Sequence, residues 1–423
     1  MERPTNPEVL LISAVIQTGD LITPGSYGIT PEFFHGHRTE WEWIERFRVR
    51  HLKAPDKATF RSQFPDFPLL KTTDVGEGVE QVEKAHLRHS LAKMYREGTK
   101  YLMEDDPHTA LTFTHSSIVG IDHATGSRDG FKNVLSDYEP IFDEARRRFE
   151  ASSSLGYAGV PLGFPVLNER TGGLHPGDLA IWAARLGQGK TWMLVKIAVD
   201  AILSGKDVCF VSLEQSRSQI AFRVHALLAR ELGYNIRHRD LMQGTNIDLS
   251  EYQSFLIDLP NQVKGSLYIS DPSRGRANPF TLATLMERHS PDLMLVDYLT
   301  LMQQDGDDWR ATAQLSADTK LVAGQYGVPI LAAAQINREG DGGRRPPSAK
   351  NLAQSDAIGQ DADVIITHKQ ESPTVIQGLL AKNRSGQDGQ TFYSRFEPNE
   401  GKIEEISFED AQTMIANDMV DED

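Results

Sequence analysis

One stretch restricts the fold of this chain more than any other, because an apolar strand pattern, a glycine-rich turn and a helical pattern follow one another directly. The strand pattern covers residues 179–182, the turn ends at Gly189, and the helix opens at Lys190 and Thr191. Glycine lets the backbone curl so that its N–H groups point inward, and the positive end of the helix dipole faces the same anion. This order predicts a phosphate-binding loop in which Lys190 reaches the terminal phosphates and the Thr191 hydroxyl binds Mg²⁺.

The turn departs from the usual phosphate-loop pattern at its first position, where Ala184 replaces glycine. A chance Gly-Lys-Thr at the start of a helix is the alternative. The strand before the turn and the helical periodicity after it favour a true nucleotide site, which implies ATP or another NTP with Mg²⁺. The predicted nucleotide-binding residues are Ala184, Arg185, Gly187, Gln188, Gly189, Lys190 and Thr191.

The chain has 423 residues, which is too long for one ordinary core and predicts two domains. Residues 1–123 keep helical apolar spacing without a catalytic constellation, so we expect a small all-α N-terminal domain. Residues 124–159 form a linker that contains a docking helix and ends in a flexible connector from residue 152. Residues 160–408 form an α/β domain, and 409–423 form an acidic, solvated and mobile tail.

The docking helix of the linker begins at Pro140. Ile141, Phe142 and Phe149 fall on one of its faces, and the arginines at 146–148 lie on the other. Such an amphipathic helix packs either on its own chain or on a neighbouring subunit, and the sequence leaves both possibilities open.

Strand and helix patterns alternate beyond residue 160. Several of the strands are nearly continuous apolar runs, as expected for strands covered on both faces. This pattern predicts a wound, mainly parallel sheet flanked by helices, with the ligand at the carboxyl ends of the strands. The strand candidates are 179–182, 207–213, 266–270, 293–296, 328–334, 363–367, 375–381 and 391–396.

Charge and composition exclude several classes of protein. The net charge of −15 does not suit a protein that coats nucleic acid with its whole surface, so any polyanion must meet a focused positive region. Cys209 is the only cysteine, which excludes an internal disulfide and a cysteine-rich zinc site. No apolar run approaches ~18 residues, and the N-terminal residues lack a secretion signal. We therefore expect a cytoplasmic location (the bacterial host cytosol for a viral protein) and no membrane partner.

Four histidines of the N-terminal domain invite a metal interpretation. They form two close pairs, His35 with His37 and His86 with His89. No carboxylate or cysteine accompanies them at ligand spacing, so we expect solvated side chains instead of a metal site.

Polar residues follow three of the apolar strands at the point where each strand ends. Asp297, about 100 residues after the phosphate loop, fits the carboxylate that positions Mg²⁺. Glu214 could polarise the water that attacks the γ-phosphorus, with an ordinary surface carboxylate as the alternative. Gln335 could sense the γ-phosphate from the adjacent strand end. The predicted metal-binding residues are Thr191 and Asp297.

Two cations, Lys382 and Arg384, flank Asn383 after the strand candidate 375–381. Residues two apart in an extended chain point the same way, so both cations would face one target. The target is either a carboxylate of the same subunit or the nucleotide of a neighbour in a ring, where an arginine is worth ~10³–10⁵ in rate. The predicted catalytic residues are Lys190, Glu214, Asp297, Gln335, Lys382 and Arg384.

Seven blocks of this sequence, in the same order, resemble the DnaB-type replicative helicases. The resemblance covers roughly residues 160–400 and is weak in the N-terminal helices. Ala184 followed by Arg185 is itself usual in that family. The seven blocks are 171–178, 184–191, 212–214, 296–299, 334–338, 360–363 and 382–384.

The resemblance implies a RecA-like P-loop ATPase fold in a homo-hexameric ring that threads single-stranded DNA and hydrolyses NTP at subunit interfaces. It assigns phosphate and Mg²⁺ binding to Lys190 and Thr191, and coupling of the nucleotide state to the DNA loops to Gln335. Lys382 and Arg384 would act in trans, and the docking helix would bind the next subunit. A primase and a helicase loader are further implied partners.

The DNA-contacting loop departs from the family pattern. The family commonly has Asp-Leu-Arg-Glu-Ser-Gly, whereas residues 351–356 read Asn-Leu-Ala-Gln-Ser-Asp, so Ala353 replaces the arginine. Backbone N–H groups and Gln354 could still bind phosphates as neutral donors. The preceding segment 338–350 is rich in Gly and Pro with four basic residues, and we expect it to supply positive charge. The predicted DNA-binding residues are Arg338, Arg344, Arg345, Lys350, Gln354 and Ser355.

Two other functions remain open from the sequence. One is a RecA-like recombination or clock-type ATPase, for which strand exchange without unwinding would be diagnostic. The other is a DNA-binding or loading scaffold whose ATP site is only structural, and the complete catalytic set argues against it.

Overall fold

The chain divides into two compact units, Met1–Glu139 and Pro140–Asp423. The sequence placed the first boundary at residue 123, and residues 122–137 lie outside the described part of the chain. The computed structural model describes residues 6–104, 106–107, 109–111, 113–114, 117–118, 121, 138–270, 277–302, 309–336, 346–347 and 356–421.

The first unit is helical in its described residues, as the sequence predicted. Its helices begin where a side chain accepts otherwise unpaired backbone N–H groups. Asn6 Oδ1 accepts from the Glu8 N–H at 3.0 Å, and Asp74 Oδ1 accepts from the Glu77 N–H at 2.9 Å. The helices are α1 (Pro7–Thr18), α2 (Ile22–Ser26), α3 (Arg38–His51), α4 (Lys57–Gln63) and α5 (Val75–Met103), with a 3₁₀ turn at Pro31–Phe33.

The core of this unit forms where α1 packs against α5. A Cβ at Gly78 would lie 2.9 Å from the Leu11 Cα, so glycine is what lets the two helices approach this closely. Leu11 and Ile12 of α1 and Val79 and Val82 of α5 are buried in the same cluster. Val79 and Val82 lie three residues apart, as the helical periodicity of α5 predicts.

Three histidines of this unit lie against one another. The His35 ring stacks on His89 at 3.8 Å and on His86 at 5.3 Å between centroids. Burial lowers the pKa of both His35 and His86. His35 and His89 are nonetheless exposed and His37 and His86 are half-buried, which agrees with the expectation of solvated side chains. Across the described residues, no group of three or more His, Cys, Asp or Glu side chains is arranged to hold a metal ion.

The second unit is built on one sheet of nine strands. From one edge to the other the strands are β3 (Leu267–Ile269), β2 (Val208–Ser212), β4 (Leu293–Asp297), β5 (Ile330–Gln335), β1 (Leu179–Ala184), β6 (Val364–Ser372), β7 (Val375–Asn383), β8 (Thr391–Glu397) and β9 (Lys402–Ile406). The strands from β3 to β6 run parallel, and β7, β8 and β9 are added antiparallel. The predicted mainly parallel sheet is confirmed.

Helices cover both faces of this sheet, which explains the continuous apolar runs. On β1, Ala180 and Trp182 belong to one buried cluster, and Ile181 and Ala183 belong to the other. The helices are α6 (Glu139–Leu155), α7 (Pro165–Thr171), α8 (Lys190–Leu203), α9 (Arg217–Glu231), α10 (His238–Gln243), α11 (Leu249–Gln262), α12 (Pro279–His289), α13 (Trp309–Tyr326), α14 (Asp356–Asp361) and α15 (Phe408–Asp421), with 3₁₀ turns at Leu299–Leu301 and Pro398–Glu400.

Two helices differ from the sequence-based expectation. The acidic tail was predicted to be solvated and mobile, but α15 occupies most of it. Asp418 accepts hydrogen bonds from the Ser372 hydroxyl and from the Thr374 N–H and hydroxyl, and Ala411 is fully buried. The linker helix α6 continues to Leu155, so the connector predicted from residue 152 begins as helix.

The short strand β9 was not predicted. Two of its five residues are glutamates, Glu404 and Glu405, which hides the alternation of a strand with one exposed face. It lies at the edge of the sheet and pairs with β8, so its existence depends on a neighbouring strand and not on its own apolar content.

Candidate functional site

The parallel strands β1, β2, β4 and β5 end side by side, at the carboxyl end of the sheet. In the register of the sheet, Ala184 of β1 lies beside Gln335 of β5, and Ser212 of β2 lies beside Asp297 of β4. The chain leaves β1 through a glycine-rich loop and enters α8 at Lys190. The predicted phosphate loop and the predicted strand-end residues therefore come together at the carboxyl ends of these strands.

Gly189 sets the entry of the loop into α8. Its φ of +84° lies in the left-handed region, and a Cβ at this position would lie 2.6 Å from Phe396 Cζ. Only glycine meets both conditions without strain. The backbone therefore turns sharply enough for α8 to direct its N-terminus at the loop.

The loop and the strand ends enclose a cavity of about 400 Å³. The predicted residues Gly187, Gly189, Lys190 and Thr191 contribute to its wall. Of the other predicted loop residues, Ala184, Arg185 and Gln188 fall outside the wall. The lining residues are Leu186, Gly187, Gly189, Lys190, Thr191, Trp192, Glu214, Gln215, Arg223, Asp297, Tyr298 and Gln335.

Thr191 and Asp297 form the candidate metal site. The Thr191 hydroxyl donates to Asp297 Oδ2 at 2.7 Å, and Asp297 is buried. Burial raises the pKa of Asp297, and the Thr191 hydrogen bond opposes that shift. A buried carboxylate beside a hydroxyl is a pair of hard oxygen donors, so the donor set fits Mg²⁺.

Lys190 lies against the loop backbone. Its Nζ donates to the Ala184 carbonyl at 3.2 Å and to the Arg185 carbonyl at 3.0 Å. Burial lowers the pKa of Lys190, while the charges of Asp297 and Glu214 act in the opposite direction. A phosphate in the cavity would offer this ammonium a charged partner in place of neutral carbonyls.

Glu214 is held at the mouth of the cavity by the turn that follows β2. The Leu213 N–H donates to the Asp297 carbonyl at 2.9 Å, which ties this turn to the end of β4. The Ser212 hydroxyl donates to the Gln215 carbonyl at 2.6 Å and closes the turn around Glu214. The carboxylate is exposed, which leaves it accessible to water. Gln335 enters the cavity from the neighbouring strand end of β5.

Arg223 is a cavity residue that sequence reasoning missed. It projects from α9, its guanidinium lies 4.6 Å from the Trp192 ring centroid, and its Nε donates to Gln215 Oε1 at 3.1 Å. Burial lowers the pKa of Arg223, and the charge of Asp297 opposes that shift. Arg223 is one of three arginines in α9, and nothing in the local sequence distinguishes it from Arg217 and Arg230. Its role depends on α9 packing beside α8.

Lys382 and Arg384 lie at the opposite end of the sheet, where the parallel strands begin. Strand β7 runs antiparallel to β6, so Asn383 pairs with Val364 at the start of β6. The Arg384 Nη1 contacts Asp363 Oδ1 at 2.8 Å, and the Lys382 Nζ donates to the Gly359, Gln360 and Ala362 carbonyls. The six residues of β1 place about 20 Å between the carboxyl ends and the amino ends of the parallel strands. Neither cation can therefore contact a nucleotide in the cavity of its own chain.

The predicted DNA-binding residues lie outside the described part of the chain. These are Arg338, Arg344, Arg345, Lys350, Gln354 and Ser355, and Ala353 lies among them. Among the described residues, none of the helices is both long enough and apolar enough to cross a bilayer.

Comparison with known proteins shows which family and which relatives this sequence is similar to. Residues 159–405 match the model of a family described as DnaB-like helicase C terminal domain. The chain is 31% identical over 287 residues to the replicative DNA helicase DnaB of Pasteurella multocida, covering 63% of this chain and 59% of the relative. It is 24% identical over 305 residues to the replicative DNA helicase DnaC of Bacillus subtilis, covering 68% of this chain and 65% of the relative. The chain thus spans about three fifths of the length of the first of these relatives.

Two solved structures share the fold. One, described as a DnaB-like replicative helicase and its interactions with primase, matches with a TM-score of 0.64 at 17% identity and covers 95% of this chain and 99% of that chain. The other, described as an ATPase domain, matches with a TM-score of 0.55 at 20% identity and covers 66% of this chain and 100% of that chain. Both support the RecA-like arrangement of the second unit.

Proposed function

This chain belongs to the DnaB-like helicase family through residues 159–405, and on that premise we propose that it is an NTP-driven, ring-forming replicative DNA helicase. One observation carries the proposal. The cavity at the strand ends gathers Lys190, Thr191, Glu214 and Asp297, whereas Lys382 and Arg384 lie at the far end of the same sheet. Such a division suits a site completed by a second copy of the chain.

Within the proposed site each side chain has a chemical role. The loop N–H groups and Lys190 bind the triphosphate, and Glu214 orients and activates the attacking water. Thr191 and Asp297 would hold Mg²⁺, which supplies charge neutralisation of the phosphates when bound. Gln335 contacts the γ-phosphate region and passes its state to the segment that follows β5.

Arg384 and Lys382 act on the nucleotide of the adjacent copy in this proposal. The Arg384 side chain is 52% exposed beside Asp363, so it is accessible to a partner surface. Head-to-tail contacts close into a ring when the rotation between copies closes, and we propose a homo-hexamer around single-stranded DNA. The net charge of −15 requires that the DNA meet a focused positive lining, which we assign to segment 338–355.

Partners and location follow from the same family context. Because one solved neighbour is described with primase, we include primase as a partner of the proposed ring. A helicase loader is included on the family resemblance alone. A cytoplasmic location completes the proposal, since the relatives named above are bacterial replicative helicases.

A strand-separation assay tests the proposal. The purified protein, ATP and Mg²⁺ are incubated with a forked DNA duplex, and phosphate release is measured with and without single-stranded DNA. We expect unwinding of the fork and stimulated phosphate release, both lost in Lys190→Ala. Strand exchange without unwinding would identify a recombinase instead, and bound ATP without hydrolysis would identify a scaffold.

A further inference from the structure

A tryptophan and a histidine lie directly behind the phosphate loop. The Trp182 indole Nε1–H donates to His368 Nδ1 at 2.7 Å, and His368 Nε2 contacts the Gln188 carbonyl oxygen at 2.6 Å. Both side chains are fully buried. An indole N–H can only donate and a carbonyl can only accept, so the imidazole between them is neutral and carries its proton on Nε2. The two bonds therefore form one directed chain that ends on the loop backbone.

The sheet register brings these residues together. Trp182 projects from β1, and the β6 residue Thr367 pairs with Ala183, so His368 follows beside the last residue of β1. Side chains alternate along both strands, which puts Trp182 and His368 on the same face, the one covered by α8. His368 is thus at the root of the loop and outside the lining of the cavity.

The Gln188 carbonyl belongs to the same peptide unit as the Gly189 N–H. A trans peptide is planar, so its C=O and N–H point in opposite directions. When His368 holds the carbonyl from behind, the Gly189 N–H is directed away from His368, and Gly189 lines the cavity. A flipped peptide would instead turn a carbonyl oxygen toward the phosphates, where it would repel them.

We propose that His368 is a positioning residue of the phosphate loop, which fixes the Gln188–Gly189 peptide with its N–H toward the nucleotide while Trp182 selects the tautomer. The inference rests on the proposed nucleotide-binding function and deepens it. His368 does not touch the nucleotide and acts through the backbone of Gln188.

The surroundings of His368 keep its imidazole in the neutral form that the two hydrogen bonds require. Burial lowers the pKa of His368 to about 4, the contact with the Gln188 carbonyl opposes that shift, and the nearby charge of Lys190 adds to it. A protonated ring would direct an N–H from Nδ1 at the indole N–H, which is also a donor. The neutral ring is thus the one that matches both partners.

Three substitutions and one matched control test the proposal. His368→Phe keeps a buried ring but removes both hydrogen bonds. His368→Gln restores a donor toward Gln188 and an acceptor toward Trp182. Trp182→Phe removes the indole donor together with part of the buried ring volume, while His368 keeps its contact with Gln188. His225→Phe is the control, since His225 is a second histidine with a pKa of about 4, bonded at 2.7 Å to the Tyr252 hydroxyl and outside the cavity lining.

The equilibrium affinity for ATP is measured by calorimetry for the full-length variants, together with Tm without nucleotide. We expect His368→Phe to bind ATP about five- to tenfold more weakly, as for the loss of one neutral hydrogen bond. His368→Gln should return to within about twofold of the wild type, and Trp182→Phe should lose about two- to fivefold. His225→Phe should lower Tm without changing the affinity.

A spectroscopic readout is independent of nucleotide. In protein labelled with ¹⁵N-histidine, the signal that His368→Phe removes should be that of the neutral Nε2–H tautomer. An Nδ1–H tautomer would overturn the proposal, as would ATP affinity unchanged in His368→Phe while the wild type binds normally. If His368→Phe does not fold, Trp182→Phe decides, since an unchanged ATP affinity in that variant would also overturn the proposal. A wild type that binds no nucleotide at all would instead overturn the proposed function.

Discussion

At the scale of single residues, the candidate site consists of charged groups that line one cavity at different degrees of burial. Asp297 is 2% exposed and faces the Thr191 hydroxyl, and Lys190 is bonded to neutral carbonyls. A buried charge is costly unless it has a charged partner. Triphosphate and Mg²⁺ would provide those partners for Lys190 and Asp297. Ligand binding and the stability of this unit should therefore be linked.

Lys190→Ala should lower the rate of ATP hydrolysis by at least about 100-fold, because it removes a preorganised positive charge from the phosphates. It should also reduce the rise in Tm that Mg²⁺ and ATP give to the wild type. Phosphate release and thermal unfolding measure the two effects. Lys206→Ala is the control. Lys206 precedes β2, at the amino ends of the parallel strands, and forms an ion pair with Asp292 away from the cavity. Normal hydrolysis by Lys190→Ala would contradict the site.

His368 predicts a dependence of stability on pH. Its pKa is about 4 in the folded protein and about 6.5 in the unfolded chain. Between these values the unfolded chain binds the proton and the folded protein does not. The contribution of His368 is thus fully present above pH 6.5 and declines by roughly 3 kcal/mol as the pH falls to about 4. The difference in unfolding free energy between the wild type and His368→Phe, measured in urea, should shrink over this range. A difference in unfolding free energy that stays constant over this pH range would contradict the lowered pKa of His368.

At the scale of elements, apolar and alternating runs predicted eight strands, from β1 to β8. Burial is complete in β1, β2 and β4, whereas β3 at the edge of the sheet is only partly buried. The pattern failed for β9 and α15, in which acidic residues interrupt the apolar ones. Each is stabilised by contact with a preceding strand and not by its own periodicity. Strand β9 pairs with β8, and Asp418 of α15 accepts the hydrogen bonds of Ser372 and Thr374. Local sequence alone could not predict either contact.

Asp418→Ala should destabilise the second unit by about 1–3 kcal/mol, because it leaves the Ser372 and Thr374 donors without their acceptor. Urea unfolding followed by circular dichroism measures the change. Asn417→Ala, one residue earlier on the exposed face of α15, is the matched control and should change little. Equal stability of both variants would mean that the helix is a solvated tail after all.

At the scale of the whole molecule, the sheet separates two halves of the proposed catalytic set. The phosphate loop lies at the carboxyl ends of the parallel strands, and Arg384 lies at their amino ends because β7 reverses direction. One copy of the chain cannot bring both halves to the same nucleotide. Activity should therefore depend on assembly.

Mixing two inactive variants tests this dependence. Arg384→Ala should lose about 10³-fold or more of the hydrolysis rate while keeping nucleotide affinity, because its own loop is untouched. Lys190→Ala should be inactive for the opposite reason. In mixed assemblies about one interface in four combines an intact loop with an intact arginine, so hydrolysis should return in part. No recovery on mixing, or a fully active monomer, would contradict the shared site.

The sequence by itself determined the glycine-rich loop before α8, the strand-end carboxylates and the class of fold. These features are local, since glycine conformations, helix starts and apolar periodicity extend over only a few residues. Tertiary structure alone decided which strands became neighbours. That choice placed Arg223 in the cavity, His368 behind the loop, and Lys382 and Arg384 at the far end. The physical reason is that strand pairing and helix packing join residues distant in sequence, and no local pattern encodes which ones will meet.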